Sequence, residues 1–145
     1  MRELESYFKG LADLTRLRII SLLLYGELCG CDIQQVLEMP QPNVSRHLNY
    51  LKHAGLVSDR REGFRVFYGL IRGGDQTLQT LFEFLRAAFR RDETLQHDLL
   101  RLKEAIKEGA CTIQQIRPLP RITAASSLGS SPRSTIAKGK EWTRA

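Results

Sequence analysis

The feature that most limits the fold of this chain is a proline-marked break between two short apolar repeats, Met39-Pro40-Gln41-Pro42. The residue before a proline avoids helical angles, so a helix that begins near Asp32 is expected to end by Glu38. Pro42 fits the first turn of the next helix, where its missing N–H costs nothing. That second helix is predicted to run to His53, so the break indicates two short helices joined by a tight connection.

A β-hairpin is predicted directly after these helices. Glu62-Gly63 is a turn signal, and apolar side chains alternate along the segment that follows it, at Phe64, Val66, Tyr68 and Leu70. Upstream, helical spacing predicts two further helices. The first runs through Leu4, Phe8 and Leu11. The second begins at the cap Asp13, ends at Gly26 and runs through Leu14, Leu17, Ile20 and Leu24. The expected fold is mainly α with a small β-hairpin, a winged helix-turn-helix.

One long helix is predicted from about Asp75 to Lys107, because apolar residues, most of them leucines, recur along it in steps of three and four, interrupted only at Asp92. A stripe of that length on one helix of a small domain is typical of a surface that faces another copy of the chain. We therefore expect a homodimer formed through the terminal helices. The interface is expected to contain the leucines of the stripe, which are Leu78, Leu81, Leu85, Leu95, Leu99 and Leu102. The alternative is that these leucines cover the chain's own core.

Charge and composition favour a DNA-binding protein of the cytoplasm. The net charge is +6, and residues 41–72 hold six Arg or Lys against two carboxylates. No apolar run is long enough for a membrane span, and the N-terminus lacks the apolar core of a signal peptide. We expect residues 1–110 to form one DNA-binding and dimerisation domain. Residues 111–145, rich in Ser, Thr, Pro and basic residues, are expected to form a disordered tail.

The outward face of the second short helix is the candidate DNA-reading surface. With about 100° per residue, Val44, Leu48 and Leu51 share one face and turn toward the core, leaving a face without carboxylates for DNA. Arg can read guanine and Asn adenine in a major groove, while Ser, Tyr and Lys hold phosphates. The hairpin tip would follow the backbone or enter the minor groove. The candidate DNA-binding residues are Gln41, Asn43, Ser45, Arg46, His47, Asn49, Tyr50, Arg60, Arg61 and Arg65.

Two cysteines, Cys29 and Cys31, stand one residue apart where the first short helix begins. Inside a regular helix they would lie about 200° apart and could not share one ion, but an irregular helix start can bring both sulfurs together. Thiols stay reduced in the cytosol, so such a pair more often binds a metal or senses redox state than forms a structural disulfide. Thiolates select soft ions.

The stretches ELCGCDI, PQPNVSRHLNYLKHAGLV and RREGFRVFYGL, in this order, resemble the ArsR/SmtB family of metal-responsive bacterial repressors, over roughly residues 4–107. The resemblance implies a homodimer that sits on a palindromic, double-stranded operator and leaves it when a metal binds. It implies DNA contacts by Gln41, Ser45 and Arg46, while Pro42 stands where many members have serine.

Arsenic-responsive members carry a motif like ELCVCDLC, whose third cysteine corresponds to Gln34 here. The resemblance thus implies trivalent arsenic or antimony as inducer, with Cys29 and Cys31 as ligands and no organic cofactor. Cys111 is the one remaining thiol and the candidate third ligand.

Three other functions stay open from the residues. Cys29, Cys31 and Asp32 could give zinc or cadmium three donors, and a second zinc site could use Asp92, Glu93, His97 and Asp98. The two cysteines could also form a redox switch in a repressor, although a disulfide between residues this close is strained. A small thiol oxidoreductase or arsenate reductase is disfavoured, since no glycine-rich anion loop or general base accompanies the cysteines. We therefore do not expect an enzyme.

Overall fold

The computed structural model describes residues 1–109, and Cys111 and the tail predicted over 111–145 lie outside the described residues. The elements in chain order are α1 (Arg2–Leu11), α2 (Leu14–Tyr25), β1 (Leu28–Cys29), α3 (Gly30–Leu37), α4 (Gln41–His53), β2 (Val57–Glu62), β3 (Arg65–Leu70), α5 (Gln76–Phe89) and α6 (Glu93–Lys107). The predicted class, mainly α with a small β-hairpin, is confirmed. No helix in the described part of the chain is long and apolar enough to cross a membrane.

Helix α2 is the centre of the core. All six residues from Ile19 to Leu24 are buried, so its second half is enclosed on every side, as expected of a central helix. The predicted cap is confirmed, because the Asp13 carboxylate accepts a hydrogen bond from the Arg16 backbone N–H at 3.0 Å. In α1, however, Tyr7 is the buried aromatic residue and the neighbouring Phe8 is exposed, which corrects the predicted apolar face.

The helix-turn-helix is formed by α3 and α4. Glu38 ends α3 in the left-handed region with φ 53°, and Pro42 lies in the first turn of α4, as predicted. The sheet has three antiparallel strands in the order β1-β3-β2. The hairpin β2–β3 is confirmed, whereas the two-residue strand β1 was not predicted. It pairs Leu28 with Tyr68 and Cys29 with Phe67.

The predicted single helix over residues 75–107 is wrong, because α5 ends at Phe89 and α6 begins at Glu93. Asp92 is the N-cap of α6 and accepts a hydrogen bond from the Leu95 backbone N–H at 3.0 Å. Aspartate competes with the backbone inside a helix but stabilises a helix start. The one residue that interrupted the leucine stripe therefore marks the end of one helix and the start of another.

The leucines assigned to a dimer seam pack inside the chain, which corrects that prediction. Five of them, Leu78, Leu81, Leu85, Leu95 and Leu102, are buried, and Leu99 is partly buried against the core. The turn between α5 and α6 lets α6 pack on α2 and α3 instead of continuing α5. A buried ion pair joins α6 to α2, with Arg18 Nε and Nη2 donating to the two Asp98 carboxylate oxygens at 2.7 and 2.8 Å.

Candidate metalloid site and nucleic-acid interface

The two thiols meet at the junction between β1 and α3. Cys29 is the N-cap of α3, with an extended backbone (φ −68°, ψ 143°), and Cys31 is the second residue of the helix. This irregular start brings the two Sγ atoms to 2.8 Å from one another. The Cys29 side chain is buried, whereas Cys31 is exposed. The irregular helix start therefore brings the two sulfurs together, with one of them open to solvent.

Tertiary packing holds the backbone of this junction. The Tyr68 ring lies directly over Gly30, where an added Cβ would stand 3.2 Å from the Tyr68 Cε2 atom. A larger residue between the cysteines would displace that ring. Burial raises the pKa of the Tyr68 hydroxyl.

Oxygen and nitrogen donors are sparse around the thiols. Asp32 Oδ1 lies 3.7 Å from Cys31 Sγ, yet no group of three or more His, Cys, Asp or Glu side chains within residues 1–109 is arranged to hold a metal ion. Of the second zinc set considered from sequence, Asp92 caps α6 and Asp98 is paired with Arg18. The two aspartates of that set are thus engaged in structural contacts.

A cleft of about 230 Å³ opens beside the thiol pair, between the start of α3, the first turns of α4 and the hairpin. Its apolar wall is formed by Val44, Leu48, Phe64, Val66 and Tyr68. Its polar wall is formed by Gln34, Gln41, Ser45 and Arg65. The structure therefore places both cysteines in one cleft with three of the predicted DNA-binding residues.

The outward face of α4 has the predicted composition. Val44, Leu48 and Leu51 are buried. Exposed side chains are found at Gln41, Arg46, Asn49 and Tyr50, and half-buried ones at Asn43, Ser45 and His47. The Gln41 Nε2 donates to Ser45 Oγ at 3.0 Å, so these two polar side chains are already oriented together at the start of the helix.

On α4, His47 and Tyr50 also contact residues at the ends of α1 and α2. His47 Nδ1 lies 3.8 Å from the Asp13 carboxylate at the start of α2. The Arg16 guanidinium lies over the Tyr50 ring, 4.1 Å from the ring centre. The same guanidinium donates hydrogen bonds to the backbone carbonyls of Gly10 and Lys9. Arg16 was missed from sequence, because its position beside α4 depends on how α1 and α2 pack.

The three arginines of the hairpin differ in their ionic contacts. Arg60 donates to the carboxylates of Glu27 and Glu62 and lies over the Phe67 ring at 4.6 Å. Arg61 and Arg65 are exposed. Gly63 has φ 61°, the left-handed geometry that the predicted turn requires, and the neighbouring Phe64 is fully exposed at the tip.

The comparisons with known proteins agree with this geometry. The sequence profile described as "Bacterial regulatory protein, arsR family" matches residues 13–59, the segment that contains α3 and α4. The arsenic resistance transcriptional regulator ArsR1 of Pseudomonas putida is 42% identical over 98 residues, which cover 67% of this chain and 75% of that protein. The arsenical resistance operon repressor of Escherichia coli is 52% identical over 64 residues, 43% of this chain and 55% of that protein.

A solved structure gives the same fold. The homodimeric winged helix-turn-helix DNA-binding domain Mb0332 of Mycobacterium bovis superposes with a TM-score of 0.52 at 33% identity, covering 66% of this chain and 83% of that domain. The predicted winged helix-turn-helix is thus confirmed by an independent structure.

Proposed function

From the premise that this chain belongs to the ArsR family of DNA-binding transcriptional repressors, we propose that it leaves its operator when Cys29 and Cys31 bind trivalent arsenic or antimony. The observation that carries the proposal is the 2.8 Å approach of the two sulfurs at the start of α3. Thiolates favour soft ions, and both sulfurs are within reach of one atom. Cys111, outside the described residues, is proposed as a third ligand for the inorganic ions.

The proposed DNA contacts are concentrated on the first turns of α4 and on the hairpin. Gln41, Asn43, Ser45 and Arg46 would reach base edges or phosphates from the start of the recognition helix. Asn49, Tyr50 and His47 would contact the backbone, with Arg16 adding charge beside Tyr50. In the hairpin, Arg61 and Arg65 are proposed as the main contacts, because the Arg60 guanidinium is neutralised by Glu27 and Glu62.

The shared cleft supplies a physical route from ligand to DNA release. An ion on Cys29 and Cys31 lies beside the Gln41–Ser45 hydrogen bond and Arg65. A ligand shifts an equilibrium only by binding two conformations differently. Here the liganded thiols would favour a first turn of α3, and hence a position of α4, that fits the operator poorly. Ligand and DNA affinities would then oppose one another reciprocally.

The homodimer is proposed to form through the exposed side of α5. Phe84 is 65% exposed in the single chain, and Ala87 and Ala88 next to it on the helix are also exposed. Exposed apolar surface of this kind on a folded chain is typical of an interface. Mb0332 is itself described as homodimeric. We therefore propose that the exposed residues of α5, instead of the buried leucines, form the dimer interface.

Charge introduced at Phe84 tests this interface. Phe84→Glu is expected to yield monomers in sedimentation velocity, because a carboxylate cannot be buried in an apolar contact without a partner. Leu100→Glu is the matched control, since Leu100 is similarly exposed but lies on α6. Monomers from Leu100→Glu and dimers from Phe84→Glu would place the interface on α6 instead. Leu85→Glu is unsuitable, because Leu85 is buried in the core and a carboxylate introduced there is expected to unfold the chain.

A fluorescence-anisotropy titration tests the proposed sensor. The protein is prebound to a labelled palindromic operator candidate taken from upstream of its gene, and arsenite, antimonite, zinc and cadmium are added in turn. Wild type is compared with Cys29→Ser, Cys31→Ser and the control Gln35→Ser, an exposed position of α3 that does not line the cleft.

Release by arsenite or antimonite, lost in both cysteine variants and kept in Gln35→Ser, is the expected result. Release by zinc or cadmium alone would make the chain a divalent-ion sensor. Tight operator binding that no ion weakens would contradict the proposal. Repeating the titration with peroxide-treated protein tests thiol oxidation as the alternative signal.

A further inference from the structure

We propose that Phe64, at the tip of the hairpin, enters the minor groove of the operator and partly unstacks one base step. The ring acts as an apolar wedge, while Arg61 and Arg65 contact the phosphates on either side of it. This inference rests on the proposed function, since it requires the hairpin to contact DNA. It is carried by the exposure of the ring, the charges beside it and the position of the tip relative to α4.

The Phe64 ring has no cover within the described part of the chain. The side chain is 109% exposed, more than any other large apolar side chain of residues 1–109. At the preceding Gly63, a Cβ built on the backbone would meet nothing within 4 Å apart from its chain neighbours. A single exposed apolar residue is common on protein surfaces, so the surroundings of the ring have to identify its partner.

The charges around the ring are typical of a surface that binds a polyanion. Residues 60–65 contain three arginines and one glutamate, a net charge of +2. Arg61 and Arg65 are both exposed, on the two strands that meet at the tip. An apolar protein partner would have to bury these charges, which is costly. In DNA, by contrast, phosphates lie on both sides of every base step and would accept hydrogen bonds from both arginines.

The hairpin projects far enough beyond the sheet to reach the bases. Strand β1 pairs with β3 toward the tip only as far as Phe67. At about 3.3 Å per residue, the chain from Phe67 to Phe64 extends about 10 Å further. The minor groove of B-DNA is about 6 Å wide and about 7.5 Å deep. Two strands about 4.8 Å apart, together with their side chains, are too wide for this groove, whereas the single ring at the tip can reach the base edges.

The tip lies on the side of the hairpin that faces the start of the recognition helix. Phe64 and Arg65 border the cleft whose other walls include Gln41 and Ser45, in the first turns of α4. The N-terminal residues of a recognition helix reach base edges in the major groove. With α4 in that groove, the tip would approach the minor groove next to it.

An apolar side chain in a minor groove has a known physical effect on DNA. Phenylalanine and leucine side chains can wedge between two base pairs, unstack them partly and kink the duplex. The pyrimidine–purine steps TA and CA unstack most easily. Phe64 would therefore add a sequence preference at the step below the hairpin, although its ring forms no hydrogen bond with a base.

The test places 2-aminopurine, whose fluorescence is quenched by stacking, at successive positions of the palindromic operator candidate from upstream of the gene. The full chain is added at saturating concentration without any metalloid. Wild type is expected to raise the fluorescence at least twofold at one step in each half-site. Phe64→Ala should abolish the rise, and Phe64→Leu, which keeps an apolar wedge, should retain part of it. Leu100→Ala, at an exposed apolar position of α6, is the matched control and should behave like wild type.

Operator affinity is the second readout. Wild type should bind an operator with TA or CA at that step at least fivefold more tightly than an operator with GC there. Phe64→Ala should lose this preference but keep the salt dependence of binding, because both arginines remain. Circular dichroism and the urea midpoint of Phe64→Ala should match those of wild type, since the removed ring is exposed.

The outcomes separate this inference from the proposed function. Wild type that raises the fluorescence at no step, or a rise that Phe64→Ala keeps, would overturn the inference. Equal step preferences of wild type and Phe64→Ala would also overturn it. Release by arsenite without any unstacked step would leave the proposed function intact and remove the wedge. An unstacked step that depends on Phe64, in a complex that no ion weakens, would support the wedge and contradict the proposed sensor.

Discussion

Two ionic contacts of similar chemistry lie in opposite environments. At the junction of α2 and α6, Arg18 makes a two-pronged contact with Asp98, whose side chain is 1% exposed. On strand β2 of the hairpin, Arg60 contacts Glu27 and Glu62, and all three side chains are at least 36% exposed. The first contact is part of the scaffold, and the second positions a surface element. The comparison teaches that burial decides how much each of these two ion pairs contributes to the stability of the fold.

The largest effect is expected from breaking the buried pair. Arg18→Met retains most of the side-chain volume but leaves the Asp98 carboxylate buried without its cation, which costs about 3 kcal/mol of unfolding free energy. Urea unfolding followed by circular dichroism measures the loss. The double variant Arg18→Met, Asp98→Leu is the control and should recover most of the stability. An unchanged urea midpoint in Arg18→Met would show that the contact between α2 and α6 tolerates an unpaired charge. The expected difference between the buried and the exposed ion pair would then be wrong.

Removing a side chain that is proposed to contact DNA bases should weaken operator binding and leave the free energy of unfolding unchanged. Arg46 is exposed on α4, so Arg46→Ala is expected to weaken operator binding by about 1–3 kcal/mol. Its unfolding free energy should stay within about 0.5 kcal/mol of wild type. Anisotropy and urea unfolding measure the two quantities, with Lys103→Ala on α6 as the exposed control. Unchanged affinity would remove Arg46 from the reading face.

Acid should affect the stability of the scaffold through Asp13. The hydrogen bond from the Arg16 backbone N–H lowers the pKa of this carboxyl, aided by the charges of Arg16 and His47. A carboxyl with a folded pKa below its unfolded value stabilises the fold above about pH 4 and loses that contribution as the pH falls through the folded pKa. Asp13→Asn keeps the cap but does not titrate. The stability difference between wild type and Asp13→Asn should therefore shrink from pH 6 to pH 3 in urea unfolding, and a difference independent of pH would contradict this origin.

The smallest effect is expected from Arg60→Ala. Because its contacts are exposed, loss of the side chain should leave the urea midpoint unchanged. Its effect on DNA should also be small, because Glu27 and Glu62 already neutralise the guanidinium. Arg61→Ala is the matched comparison and should reduce the salt dependence of operator binding by about one counterion, more than Arg60→Ala does. A larger change for Arg60 would mean that its carboxylate contacts are released on DNA.

Several local signals were read correctly, although the helix cap at Asp92 was missed. Asp13, Gly26 and Pro42 stand at the helix ends predicted for them, and Glu62-Gly63 at the predicted hairpin turn. The thiol geometry followed from the same kind of reasoning, since residues one apart converge only where the helix is irregular, and Cys29 lies just outside α3. Caps, prolines and turns act through bonds within a few residues.

What required the tertiary structure was the choice between surfaces that look alike in sequence. The leucines of α5 and α6 could have faced another copy or the chain's own core, and the packing of α6 on α2 and α3 decided for the core. Tyr7 rather than Phe8 packs in the core, and its hydroxyl donates a hydrogen bond to the Asp75 carboxylate, 68 residues away, at 2.8 Å.

The sequence by itself determined the helix ends, the hairpin turn and the composition of the outward face of α4, since these depend on local backbone preferences and on helical periodicity. The tertiary structure alone decided that Gln41, Ser45 and Arg65 share a cleft with Cys29 and Cys31, because that cleft is closed by packing between α3, α4 and β3. Burial and proximity are properties of the packed chain.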